Sequence, residues 1–196
     1  LDFDNIQNLN AIRLVFELLR ERVGSPVSYS SIAEDVGISP NTVRKYIQIL
    51  EALYIVFRIT PFSRNIARSL LKEPKIYFFD NGLVKGGNGA KFENFVAGCL
   101  LKHVFAKIDY RAENCMLHYL HTKDKREVDF ALANDNKIEN IIEVKHADGS
   151  IHNALHYFHE KYHLPALQVV KELKREKMAN GIEVIQALNF LKKLEL

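Results

Sequence analysis

Cysteine is scarce in this 196-residue chain: Cys99 and Cys115 are the only two. They form neither a disulfide framework nor a zinc-ligand spacing, which argues against a stapled secreted scaffold and suits a reducing cytoplasm. Long apolar runs are also missing. No stretch approaches the roughly 18 residues that would cross a bilayer, and no leader peptide is visible, so no membrane association is expected. One-signed charge is lacking too. The net charge is +3, divided almost evenly between residues 1–75 and the remainder, and neither part is a polybasic arm. Such a balance does not by itself establish nucleic-acid binding. Repeats and low-complexity segments are absent. The glycines at 82, 86, 87 and 89 are not followed by Gly-Lys-Ser/Thr, which excludes a phosphate-binding loop there.

What is present is a chain able to bury real cores, with 47% hydrophobic and 26% charged residues. Its length allows one domain or two small ones. The glycine-rich stretch 82–89 is the best boundary, giving an N-terminal domain 1–84 and a C-terminal domain 85–196. The sequence opens on Leu1 rather than Met. The reading is that it is a portion of something longer or the product of a truncated gene.

The N-terminal domain reads as helices followed by strands. Ile12, Val15, Phe16, Leu19 and Val23 make one apolar side of a helix over 10–23. A short helix over 28–36 buries Ile32, Ala33 and Val36. Gly37-Ile38-Ser39-Pro40 is a tight turn, in which Ser39 can cap the next helix and Pro40 suits its first position. That helix runs to about residue 53 on Val43, Tyr46, Ile47, Leu50 and Leu53. Helix, glycine turn, helix is a helix-turn-helix pattern. Asn41, Thr42, Arg44, Lys45 and Gln48 fall on its outer face, and these residue types contact bases and phosphates. Strand-like runs at 54–59 and 75–79 follow, with Arg58, Arg64, Arg68, Lys72 and Lys75 as basic residues in and between them. Helix-turn-helix plus hairpin is a winged helix, which could read DNA or pack on protein.

The C-terminal domain carries the chemistry. A helix over 90–105 buries Phe92, Phe95, Val96, Cys99, Leu100 and Val104, with Glu93 and Asn94 beside that stripe. A strand at 117–120 leads to two apolar runs, Val128-Asp129-Phe130-Ala131-Leu132 and Ile141-Ile142-Glu143-Val144-Lys145. Asn134-Asp135-Asn136-Lys137 between them is a turn signal. Thirteen residues separate Asp129 from Glu143, with their midpoint inside that turn. A hairpin closing there sets the two carboxylates roughly opposite each other, where Cβ atoms lie about 4.5–5.5 Å apart. Side chains alternate along a strand, so Glu143 and Lys145 share one face. Paired carboxylates suit a hard divalent cation, and a nearby lysine suits phosphoryl charge. The plain alternative is a hairpin carrying a surface salt bridge.

After Lys145 come a helix over 150–162, strands at 167–170 and 181–185, and a terminal helix over 187–194. His152, His156, His159 and His163 fall along one edge of the 150–162 helix. Histidines spaced by four can bind zinc, but one helix rarely closes such a site, and a solvated edge is the favoured reading.

The order of the second half, with Asp129, Glu143 and Lys145 in D-x13-E-x-K, resembles the PD-(D/E)xK core, also called restriction-endonuclease-like. Glu93 matches the helical glutamate that many members add to the metal site. The departure is Glu127-Val128-Asp129 in place of Pro-Asp. More specifically, nearly the whole chain looks like the C-terminal part of an uncharacterised family of prokaryotic AAA-type ATPases. The residues carrying this are Ser39-Pro40-Asn41-Thr42-Val43-Arg44-Lys45-Tyr46, Lys75-Ile76-Tyr77-Phe78-Phe79-Asp80-Asn81-Gly82, Phe92-Glu93-Asn94-Phe95-Val96, Arg126-Glu127-Val128-Asp129-Phe130 and Ile142-Glu143-Val144-Lys145.

The resemblance implies an α/β chain, α+β overall: a winged helix-turn-helix domain, then a restriction-endonuclease-like mixed-sheet domain. It implies magnesium or manganese on Glu93, Asp129 and Glu143, with Asp129, Glu143 and Lys145 catalytic in a magnesium-dependent nuclease. DNA is the expected partner, beside an ATPase domain that alone would use ATP, since no Walker motif is present here. The alternative is a non-catalytic DNA-binding or docking module with a degenerate nuclease fold.

Overall fold

The computed structural model describes residues 3–63 and 72–195, with the backbone alone for residues 3–8. Arg64 and Arg68 lie outside the described residues. The chain divides into two compact units, Leu1–Arg58 with Glu73–Asn94, and Ile59–Lys72 with Phe95–Leu196. The architecture is mixed α/β, of the α+β kind, with strands in the order β2-β1-β3-β4-β5-β6-β8-β7.

In the first unit, α1 (Phe3–Glu21), α2 (Tyr29–Val36) and α3 (Pro40–Ala52) precede the start of β1 (Val56–Pro61) and β2 (Lys75–Phe78). Local chemistry sets the helix ends. Ser28 has extended backbone and its Oγ accepts from Ser31 N at the start of α2. Gly37, at φ 74°, ends that helix in the left-handed region, its N–H bonded to Ala33 O at 2.9 Å. Two residues later Ser39 Oγ accepts from Thr42 N at 3.1 Å and Pro40 opens α3. The inner stripe Val43, Ile47 and Leu50 is buried, as are Val15 and Leu19 of α1 and Ile32 and Ala33 of α2. Each Val, Leu or Ile side chain among them contributes about 1.5–3 kcal/mol when fully buried. α1 begins well before the expected residue 10. β2 is tied back by Val27 N donating to Pro74 O at 2.8 Å, and Phe79 N donates to Ile55 O.

In the second unit, β1 ends parallel to β3 (Cys115–His121), pairing Thr60 with His118. α4 (Asn88–Arg111) belongs to it from Phe95 onward. β3, β4 (Glu127–Asn134) and β5 (Lys137–Lys145) form an antiparallel meander. α5 (Asn153–Tyr162) then carries the chain to β6 (Ala166–Val170), parallel to β5. β8 (Ile182–Gln186) is parallel to β6, β7 (Lys177–Ala179) is antiparallel to β8, and α6 (Ala187–Leu191) closes the described chain. A parallel neighbour demands such a crossover helix, and a strand so covered is apolar on both faces. Ile141, Ile142 and Val144 of β5 are accordingly all buried. α5 seats Leu155 and Phe158 in the core containing Val128, Ala131 and Ile141. β7 has no counterpart in the sequence pattern. Among the described residues no helix is long and apolar enough to cross a membrane.

Candidate functional site

The site begins with a turn. Asp135 and Asn136 have φ 48° and 61°, so the β4–β5 hairpin closes on two residues with positive φ. That is the twist that adjacent antiparallel strands need, and Asp and Asn tolerate it. Asn134 pairs with Lys137 and Ala133 with Ile138, but Leu132 pairs with Asn140. Glu139 is therefore an extra residue, a β-bulge. It shifts the ladder by one, so that Phe130 pairs with Ile142, one step short of Asp129 and Glu143. Without the bulge Asp129 would face Ile142.

The bulge is held by its own side chain. Glu139 Oε2 accepts from Lys107 Nζ at 3.2 Å and Oε1 from Asn134 Nδ2 at 3.2 Å. Lys107 also pairs with Glu113 at 2.9 Å. Burial presses the Lys107 ammonium downward, but its bonds to Glu113 and Glu139 outweigh this and hold it above the usual lysine range.

Asp129, Glu143 and Lys145 come together. Asp129 Oδ2 accepts from Val144 N at 2.9 Å, which locks the carboxylate against β5. Glu143 is 2% exposed. Its Oε1 accepts from Lys145 Nζ at 2.7 Å and lies 3.0 Å from His152 Nδ1. The imidazole approaches off the line of a good hydrogen bond. Glu143 Oε2 is buried with no hydrogen-bond partner. Burial pushes the Glu143 carboxyl up, but His152 and Lys145 overcome it and leave it below the usual range. Glu143, helped by Asp129, raises the His152 imidazole against burial and the Lys145 charge.

His152 precedes α5 at its N-cap. Gln168, fully buried, sits beside Glu143 in the β5–β6 register. Its Oε1 accepts from His152 N at 2.9 Å, while its Nε2 donates to Ser150 O at 2.6 Å and Asp148 O at 3.3 Å. One amide thus clamps the loop that delivers His152 to Glu143. In the sequence His152 falls on a solvated histidine edge and nothing singles out Gln168. The available signal was position: His152 opens the helix that follows Glu-x-Lys.

Glu93 lies in the first unit. Its Oε1 accepts from Tyr77 Oη at 2.7 Å and lies 3.7 Å from the Nζ of Lys75, which is fully buried. On α3, Asn41, Arg44, Lys45 and Gln48 are exposed, and Thr42 is partly covered by its role in the Ser39 cap. Arg44 reaches over the Tyr29 ring at 5.7 Å. The remaining edge histidines line one open surface depression with Glu160 and Asn180 but make different contacts. His156 Nε2 meets Glu160 at 3.5 Å, His159 Nδ1 meets Leu164 O at 2.7 Å, and His163 ends α5 with φ 53°. Among the described residues no three His, Cys, Asp or Glu side chains gather to hold a metal. Two carboxylates alone suffice for magnesium, which keeps waters and substrate phosphate in its shell.

Comparison with known proteins gives relatives without assigned activities. Residues 88–190 match the family described as Domain of unknown function (DUF4143), and residues 1–91 match Domain of unknown function (DUF8612). An uncharacterized protein of Haemophilus influenzae is 23% identical over 191 residues, 95% of this chain and 47% of that protein. Uncharacterized proteins of Mycobacterium bovis and Mycobacterium tuberculosis are each 29% identical over 73 residues, 37% of this chain and 17% of their own length. The chain thus spans about half the length of the Haemophilus relative. No solved structure matches it.

Proposed function

The chain belongs, through residues 88–190, to the family described as Domain of unknown function (DUF4143), and from that premise we propose a DNA-interacting module with metal-dependent phosphodiester-cleaving chemistry. In this reading it is the C-terminal part of an AAA-type ATPase, and the second unit is a nuclease domain of the PD-(D/E)xK kind. DUF4143 is found C-terminal to AAA ATPase domains in some families, which supports this.

The observation that carries the proposal is the buried, partnerless Oε2 of Glu143, next in the chain to the Val144 N–H that bonds the Asp129 carboxylate. A buried carboxylate oxygen without a donor is costly, and a divalent cation would satisfy it. Asp129 and Glu143 would hold magnesium or manganese, which would polarise a phosphoryl oxygen and lower the pKa of a bound water. Lys145 supplies positive charge for the scissile phosphate. His152, clamped through Gln168, fixes the Glu143 carboxylate. Glu93, engaged by Tyr77 and Lys75, is the weaker ligand candidate. In the first unit, α1–α3 with the neighbouring strands form a winged helix, and Asn41, Thr42, Arg44, Lys45 and Gln48 face DNA.

The test is calorimetric titration of manganese into wild type and Asp129→Ala, followed by a cleavage screen on DNA of several forms. Binding and cleavage in wild type, both lost in the variant, are expected. No manganese binding and no cleavage above the Asp129→Ala control would sink the enzymatic reading.

One observation favours a second reading. Lys145 and His152 together already balance the Glu143 charge. A site so compensated suits a non-catalytic scaffold, with DNA binding or protein docking left to the first unit. DNA binding without manganese binding would select it.

A further inference from the structure

A groove of about 620 Å³ runs through the second unit along α5 and the hairpin tip. Phe62, Phe158 and Tyr162 give it aromatic lining, with His121, Thr122 and Lys137 among the polar lining. The Phe158 and Tyr162 rings are stacked, 5.9 Å between centroids and 27° between planes. Phe158 is buried, while Tyr162 is 50% exposed. Tyr162 is thus a half-exposed ring resting on a buried one.

Cations stand over the neighbouring rings. The Lys161 ammonium lies 5.1 Å from the Tyr157 ring centre and 5.4 Å from that of Tyr162. Arg126, three residues before Asp129 on the chain, lies 4.2 Å from the Tyr157 ring centre. Its loop adds Lys123 and Lys125 against the single acid Asp124, all exposed. Aromatic platforms beside cations are what an unpaired nucleotide needs: a ring face for its base and positive charge for its phosphate. A base inside a duplex has both faces occupied and cannot use such a platform.

We infer that this groove is a base-stacking subsite for single-stranded DNA. The subsite deepens the proposed function by naming the form of substrate the site receives, and its link to cleavage rests on that reading. α5 connects the two places. Its N-cap, His152, meets Glu143, and the helix ends at Tyr162, about 15 Å further along. A strand seated on Tyr162 therefore reaches the Asp129–Glu143 pair within a few nucleotides.

The test measures fluorescence anisotropy of a dye-labelled thymidine oligonucleotide, single-stranded or annealed to its complement. The whole chain carries Arg44→Ala and Lys45→Ala to remove the α3 face, and EDTA is present throughout. Tighter binding of the single strand is expected. Tyr162→Ala should weaken it by roughly tenfold, in the range seen for one lost base–aromatic stack, and Tyr162→Phe should restore it. Lys137→Ala should lower the salt dependence instead. Thermal melts of the Tyr162 variants certify their folding. Equal binding by Tyr162→Ala, preference for duplex, or no binding by the starting protein would each overturn the inference. The readout needs no metal. Loss of the manganese site with stacking retained would discard cleavage and keep the groove, and the reverse result would discard the groove alone.

Discussion

Gly24 shows how much one missing side chain can carry. Its φ is 81°, and a Cβ there would stand 2.6 Å from Glu93 Oε2. Both backbone strain and collision oppose any larger residue. Gly24→Ala should cost about 1–3 kcal/mol, read as a lower urea midpoint with an unchanged slope. A wild-type midpoint would mean that the loop relaxes around the added methyl. The neighbouring polar core is equally specific. Asn94 is buried and takes the place of a strand neighbour, accepting from Phe78 N at 2.8 Å and donating to Phe78 O at 3.0 Å. From the sequence, Lys75 was a basic residue between strands and Glu93 a ligand. The fold buries Lys75 fully and sets it against Glu93. Nothing in residue spacing distinguishes a solvated lysine from a buried, paired one, because the difference lies in which carboxylate the tertiary fold delivers.

At the scale of elements, the connection between β5 and α5 predicts a pH dependence. Contact with Glu143 raises the His152 pKa. Its contribution to stability is therefore complete below the unfolded imidazole value of about 6.5 and fades as pH rises through the higher folded value. Glu143 is lowered, despite burial, by His152 and Lys145. Its contribution is present above the unfolded carboxyl value of about 4.3 and fades as pH falls through the lower folded value. The pair thus stabilises most between these limits. The effect is modest, since the His152 side chain is 40% exposed and partly screened. Urea unfolding at pH 5.5 and pH 8.5 should show a decline that His152→Ala flattens. The same decline in His152→Ala would assign it to other groups.

The hairpin itself was legible. Two apolar runs, a turn signal and the D-x13-E spacing placed Asp129 across from Glu143 before any fold was known. The way the chain achieves this was not legible. The turn is Asp135-Asn136, centred half a residue before the midpoint of the two acids, and the bulge at Glu139 supplies the missing step. That bulge depends on Lys107 of α4, far away in sequence. The helices α2 and α3 were readable to within a residue or two, because Ser28, Gly37, Ser39 and Pro40 mark their ends locally. β7 was not, since its three residues show no apolar alternation and only β8 gives them a partner.

For the whole molecule, a net charge of +3 means that any DNA affinity must come from local surfaces rather than an overall field. On the α3 face, Arg44 and Lys45 are both exposed. If that face contacts backbone phosphates, Arg44→Ala with Lys45→Ala should lower the slope of log affinity against log salt by about two, with duplex DNA as the probe. An unchanged slope would mean that α3 serves a protein partner. The same lack of one-signed charge leaves the chain with little electrostatic repulsion to keep its copies apart, so any resistance to self-association falls to local features of the fold.

β7 is one of them. It forms the last strand at one end of the sheet order, three residues long, beginning with the exposed Lys177. Behind it lies β8, where Ile182, Val184 and Ile185 are wholly or almost wholly buried. An uncovered edge of that kind templates the addition of strands from other molecules, whereas a brief, charged border offers few backbone groups to join. The strand that left no trace in the hydrophobic pattern is thus a guard against fibrous assembly. A chain losing it would keep its acidic hairpin and its helices, and would be the more prone to polymerise.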